Sequence, residues 1–186
     1  MSTKQHSYLR PLVLTGAFAA LTAVCGFFKV PLGFTFITLQ TMMAALAGIL
    51  LGAKWGAASQ AVYLVLGLVG LPIFTQGGGP GYIFQPSFGF LLGFPLTAAV
   101  SAWVLGDSTS PLRTALAAGA GILAGYLIGT PYMGLILNVY MGKGLDVWTV
   151  VKTGCLIYLP GEAVKVIFTA VVAPPLKRAM KKSELI

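Results

Sequence analysis

Acidic side chains are almost missing from this sequence, and the gap excludes a good deal. Its 186 residues include four Asp and Glu and a single histidine, His6 in the N-terminal tail. Paired carboxylates for general acid–base work and His/Asp/Glu clusters for a metal both lack members. The two cysteines, Cys25 and Cys155, offer neither metal-ligand spacing nor a disulfide framework. The Gly-rich stretch QGGGPGYIFQPSFGF contains no Lys followed by Ser or Thr, so it is no phosphate-cradling loop. The serines have no plausible base partner. No enzyme chemistry, metal or cofactor is expected, and any ATP hydrolysis would belong to other subunits.

Charge of either sign is scarce too. Only 9% of residues are charged, against about a quarter in soluble domains. What fills the chain is apolar: 57% hydrophobic residues and a mean hydropathy of +0.89. Gly (24) and Pro (11) are abundant, as in membrane helices. The net charge of +8 does not point to nucleic acid, because the bases sit at the ends of apolar segments and are not interleaved with aromatics. A polytopic membrane protein in the lipid bilayer is the expectation, all-α and folded as one integral domain over 1–186.

A span needs roughly 20 apolar residues, and six helices are predicted, at about 9–28, 39–53, 56–71, 86–106, 112–141 and 160–180. An amphipathic piece over 147–157 precedes the last. The N-terminal apolar run is read as the first of these helices, being too long for a signal peptide. Both termini then share a side. That side collects Lys4, Arg10, Lys54, Arg113, Lys177, Arg178, Lys181 and Lys182, eight of the twelve bases, and by the positive-inside rule it is cytoplasmic. The outer loops are larger and nearly uncharged. Helices two and three are short for a bilayer, so the outer loops are expected to dip inward around a cavity that opens outward. Local thinning of the bilayer is the other explanation.

Small residues recur every four positions at Gly48/Gly52, Gly89/Gly93 and Ala117/Gly121/Gly125/Gly129, the spacing that lets helices approach closely in lipid. Helix one carries a further ladder, Gly16/Ala20 beside Ala19/Ala23, which faces either the bundle or a partner protein.

The segment YLPGEAVKVIF places Glu162 and Lys165 three residues apart on one helix face. A charge at mid-membrane costs about 2.5–3.5 kcal/mol on insertion scales, so intramembrane ionisable residues are functional candidates by default. An internal ion pair, or a lysine snorkelling to the interface, is the plain alternative. Other polar groups converge in the chain order: Thr38, which either caps helix two or faces a ligand, Gln40, and Gln85. Tyr82 and Phe84 are candidate apolar walls, Gly89 gives room for a flat ring, and Phe36 is a candidate lid. For each aromatic, anchoring at the lipid interface is an equal alternative.

Together ITLQT, LAGILLGAKWGAASQAVYLVLGLVGLPIF, QPSFGFLLGF and LPGEAVK resemble the BioY family, the biotin-specific substrate-binding (S) components of energy-coupling factor (ECF) transporters. The resemblance runs from helix one to helix six. The family usually has Asp where this chain has Glu162, and Thr-Gly where it has Ser87 and Phe88. The resemblance implies a six-helix S component in a bacterial cell membrane that captures biotin from outside. It also implies docking to a coupling transmembrane subunit with two ABC-type ATPases, through a helix-one surface that maps onto Ala19 and Ala23. Binding residues carry over to Glu162 and Lys165, then to Gln40, Gln85 and Gly89. Glu162 would accept from the ureido N–H groups and Lys165 donate to the ureido carbonyl, with the tail carboxylate at backbone N–H groups of loop 77–81. The reversed pose, with Lys165 on the carboxylate, stays open. A self-sufficient ion-coupled secondary transporter is the rival, though it calls for an ion relay and usually internal repeats.

Overall fold

A computed structural model describes residues 3–183, with side chains from residue 9 onward. The side chains of Lys4 and His6 lie outside the described residues. The chain is mostly helical: α1 (Thr3–Phe27), α2 (Gln40–Val69), α3 (Phe88–Leu105), α4 (Pro111–Leu135), α5 (Val147–Gly154) and α6 (Leu159–Lys182). One element departs from the all-helical expectation. The segment between α1 and α2 is a β-hairpin, β1 (Lys29–Leu32) against β2 (Thr35–Thr38), antiparallel with Lys29 opposite Thr38 and Leu32 opposite Thr35. Its two-residue connection begins at Gly33, whose φ of 61° favours glycine. Among the described residues, four stretches are long and apolar enough to cross a membrane: Gln40–Val69, Phe88–Leu105, Pro111–Tyr140 and Val147–Lys182, with the shorter Leu9–Cys25 besides.

The α2 stretch is two limbs. Gly52 has φ 80° and ψ 173° inside it, which breaks the helix. A Cβ on Gly56 would lie 2.7 Å from Gly48 Cα. In a continuous helix those residues are separated by about two turns, roughly 12 Å, so the chain reverses at Gly52. The limbs 40–51 and 53–69 run antiparallel. Gly52 is therefore a turn residue, whereas its expected ladder partner Gly48 is a packing residue: a Cβ there would strike the Ala98 carbonyl at 1.9 Å. The same logic seats α3 on α4, since a Cβ on Gly121 would meet Ser101 Oγ at 2.0 Å.

Burial is inverted relative to a water-soluble domain. Thr22, Ser59 and Gln60 are fully buried, while Leu112, Leu127, Val139 and Val171 are each more than 65% exposed. Such a surface suits a hydrocarbon solvent.

The two ends of the bundle differ. At one end Lys177 Nζ donates to the Gly106 carbonyl at 2.9 Å, Arg178 to the Thr109 carbonyl at 3.3 Å and Arg113 Nε to the Val104 carbonyl at 3.2 Å. Lys177 and Arg113 thus satisfy acceptors at the C-terminus of α3, where the helix dipole favours cations, and Arg178 ties down the connection to α4. At the other end lie the hairpin and the N-termini of α2, α3 and α6.

Candidate functional site

A cleft lies at the hairpin end, with about 450 Å³ of space between atoms when its open mouth is included. Its floor is α6. Tyr158, Glu162, Lys165 and Thr169 recur at helical spacing, and all four side chains are buried. Pro160 sits in the first turn, where its missing N–H is harmless, and Glu162 lies in that same turn, where the helix dipole favours an anion.

Glu162 and Lys165 are each 5% exposed and form an ion pair, Nζ to Oε1 at 2.6 Å. Lys165 also donates to Thr41 Oγ1 at 2.7 Å and to the Thr38 carbonyl at 2.8 Å. An ammonium has three donors, and all three are engaged within the chain. Glu162 takes a bond from Tyr126 OH on Oε1 at 3.1 Å and one from Thr41 Oγ1 on Oε2 at 3.0 Å. A carboxylate has about four acceptor positions, so capacity remains on Oε2. The floor is a net-neutral pair with acceptor capacity left and no donor to spare.

The remaining walls come from four elements. Phe36, Thr35 and Thr38 of the hairpin close one side. Phe90, Leu91 and Phe94 of α3 and Tyr126 of α4 make the apolar side, with the Phe90 and Tyr126 rings edge to face at 5.3 Å. Thr75 and Ser87 add hydroxyls. The hairpin is fastened to α6 through Tyr158, whose hydroxyl accepts from Thr35 Oγ1 at 2.8 Å and donates to the Leu32 carbonyl.

Of the residues picked out from sequence, Glu162, Lys165, Thr38, Gln40 and Phe36 line this cleft. Gln40 is held fast there: Nε2 donates to Tyr63 OH at 2.6 Å and the Thr22 carbonyl at 3.3 Å, while Oε1 accepts from Thr38 Oγ1 at 3.2 Å. Thr38 is not the helix cap, which is Leu39, yet its hydroxyl accepts the Gln40 N–H at 3.2 Å. Tyr82, Gln85 and Gly89 are not among the lining residues. Tyr82 stands behind the wall, buried against Phe74 and Phe88, and its hydroxyl contacts Thr75 at 2.7 Å and Ser87 at 3.1 Å. The space over Gly89 is filled by Tyr132, whose Cβ would sit 2.3 Å from an added methyl. Gln85 closes the short 3₁₀ turn Pro80–Phe84 through its backbone N–H. Phe84 stacks on Tyr140 at 4.7 Å, away from the lining set. Loop 77–81 is folded on itself, with the Gly77 N–H on the Phe74 carbonyl and the Gly79 N–H on the Gly67 carbonyl.

Ala19 and Ala23 lie on the side of α1 that faces α2. Ala19 is 4% exposed and packs with Ala44, Tyr63 and Phe74, with Ala23 against the same cluster. The chain's own α2 covers Ala19, and Ala23 is half-buried beside it. Gly16 and Ala20 lie on the exposed face of α1 instead.

Sequence reasoning missed Thr41, Tyr126 and Tyr158. Tyr158 lies one helical turn before Glu162 and Thr41 one turn after Thr38, so spacing alone pointed to both. Tyr126 carried no such signal; it reaches Glu162 only because α4 packs on α6.

A model of the BioY family matches residues 1–182. The chain belongs to the BioY family. It is 46% identical over 140 residues to a probable biotin transporter BioY of Lysinibacillus sphaericus, covering 74% of this chain and 71% of that protein. It is 31% identical over 172 residues to the biotin transporter BioY of Thermotoga maritima, covering 91% and 97% of the two chains. A crystal structure of the S-component for biotin from an ECF-type ABC transporter superposes with a TM-score of 0.81 at 26% identity, over 96% of this chain and 95% of that one. BioY proteins are transporter components, not enzymes, and this one is a membrane protein with the S-component fold.

Proposed function

We propose that this protein is the biotin-binding membrane subunit of an ECF-type uptake transporter. It captures biotin from outside the cell and delivers it through an ATP-driven module of a coupling transmembrane subunit and two ATPases. The observation that carries the reading is the buried Glu162–Lys165 pair at the floor of a cleft open at one end. Biotin's head supplies two ureido N–H donors and an apolar thiophane ring. The donors suit the free acceptor capacity of Glu162, and the ring suits Phe90, Phe94 and Tyr126. Lys165 acts by fixing the carboxylate, since its own donors are engaged within the chain.

We count six spans: α1, the two limbs of α2, α3, α4 and α6. The end rich in Lys and Arg is then cytoplasmic, with both termini, and the cleft opens outward. This makes a multi-pass protein of the bacterial cell membrane, in one integral domain. The exposed Gly16 and Ala20 face of α1 is the docking surface for the coupling subunit, because a Cβ on Gly16 meets nothing within 4 Å of its own chain.

Titration calorimetry of the detergent-purified protein tests the reading. Biotin should bind with one-to-one stoichiometry, and liposomes should accumulate it only when the ATPase module and ATP are present. Accumulation by the protein alone under a proton or sodium gradient would mean a secondary transporter.

A further inference from the structure

If the ligand is biotin, as proposed above, its tail carboxylate needs a partner, and the floor of the cleft does not supply one. Every N–H of Lys165 is donated within the chain. Glu162 beside it repels a second carboxylate. Loop 77–81 contributes nothing to the lining, and its Gly77 and Gly79 N–H groups are already bonded. An anion entering this cleft therefore meets its counter-charge elsewhere or not at all.

The rim carries one. Lys29 opens β1 and is exposed. Its ammonium donates to the Thr75 carbonyl and lies 5.7 Å from the centroid of the Phe36 ring. Thr75 and Phe36 both line the cleft. Among the described residues, Lys29 and Lys165 are the two cations in contact with the lining, and no described carboxylate pairs with Lys29. One hydrogen bond and one ring face leave donors free. The register adds a spacing. Lys29 stands opposite Thr38, whose carbonyl receives Lys165, so its backbone is one strand away from the floor's anchor, about 5 Å. Its side chain then reaches to Thr75.

We infer that Lys29 is the carboxylate-recognising residue of this cleft, holding the acidic end of the ligand at the rim while Glu162 holds the uncharged head at the floor. Two charges thereby sort the two ends of the molecule. The floor accepts donors and the rim accepts an anion, so the ligand enters head first, and the free acid is preferred over its amides and esters.

The test is a calorimetric cycle with biotin and uncharged biotinamide, on the full chain and on Lys29→Met and Lys29→Arg. A charge-assisted hydrogen bond at a half-shielded rim is expected to favour biotin over biotinamide by about tenfold in the unaltered protein. Lys29→Met should lose about that factor for biotin, and leave biotinamide within about twofold, while Lys29→Arg keeps the preference. Equal binding of the two ligands by the unaltered protein overturns the inference. So does a Lys29→Met variant that weakens both alike, since that marks Lys29 as a mere tether of the hairpin to Thr75. Should Lys29→Met not fold, the unaltered protein still decides: rising ionic strength should weaken biotin and spare biotinamide, and parallel salt dependence sinks the idea. Failure of the underlying reading looks different, because neither ligand then binds any variant.

Discussion

Lys165 Nζ donates to the backbone carbonyl of Thr38 at 2.8 Å, joining residues 127 apart in the sequence. That bond ties the floor of the cleft to the end of the hairpin that closes it. The same ammonium pairs with Glu162, so charge neutralisation and hairpin placement rest on one side chain. Removing one partner of a buried pair leaves an uncompensated charge, at a cost of about 3–5 kcal/mol. Lys165→Met and Glu162→Gln should each lower the thermal midpoint. The double variant should recover most of that loss, because both charges go together, yet bind no biotin. Melting curves and calorimetry on the three proteins separate stability from recognition. A double variant that still bound biotin would remove Glu162 from the site.

Tyr126 OH donates to Glu162 Oε1 at 3.1 Å, and its ring also packs on Phe90. Tyr126→Phe keeps the ring and deletes the donor. Hydrogen bonds to charged groups contribute about 1.5–3 kcal/mol to stability, so the melting midpoint should fall measurably, and the folded protein should bind biotin roughly tenfold more weakly as its carboxylate loses one of its holders. An unchanged affinity would mean that the carboxylate is held adequately by Lys165 and Thr41 alone.

Much of this was legible in the sequence because the physics involved is local. Apolar length marks spans, and the Glu162–Lys165 spacing marks a shared helix face. The site failed to be legible where it depends on packing between distant helices. Gly89 looked like room for a ligand, but which neighbour fills the space above a glycine is a tertiary fact, and here it is Tyr132. Gln40 does line the cleft, but that its amide is bonded to Tyr63 and Thr22 is again a matter of packing between segments. The hairpin was read as loop because its strands are four residues each, too short for alternation to show.

Gly89→Ala provides a direct check on that packing. The added methyl would lie 2.3 Å from Tyr132 Cβ, and overpacking costs about 1–3 kcal/mol. The melting midpoint should drop while the folded fraction binds biotin normally. Combining it with Tyr132→Ala should restore part of the midpoint lost to the glycine change. A selective loss of affinity with no change in melting would instead put Gly89 against the ligand.

The six-span count makes a topological prediction. In a Cys25→Ala/Cys155→Ala background, single cysteines at Lys54 and Ser108 should react with a membrane-impermeant maleimide only after the cells are opened. A cysteine at Lys143 should react in intact cells. Labelling at position 54 in intact cells would mean that the bundle sits the other way round in the membrane, and no labelling at 54 even in opened cells would place it mid-bilayer and count against a membrane-side turn at Gly52.

The face of α1 that carries Gly16 and Ala20 is exposed, with no described residue packed over Gly16. Gly16 has no neighbour within 4 Å of where a Cβ would stand, and Leu12 and Val24 frame it, 59% and 51% exposed. Small residues spaced by four favour close helix approach in lipid, and neither Gly16 nor Ala20 lines the cleft, so a bulky residue there should block a partner and leave the cleft intact. Ala20→Trp is therefore expected to bind biotin as the unaltered protein does, to melt at the same temperature, and to fail to co-purify with the coupling subunit and ATPases. Ala19→Trp should behave in the opposite way, unfolding the protein, because Ala19 is buried against Tyr63 and Phe74. If Ala20→Trp assembled normally, the docking surface would have to be sought on another helix.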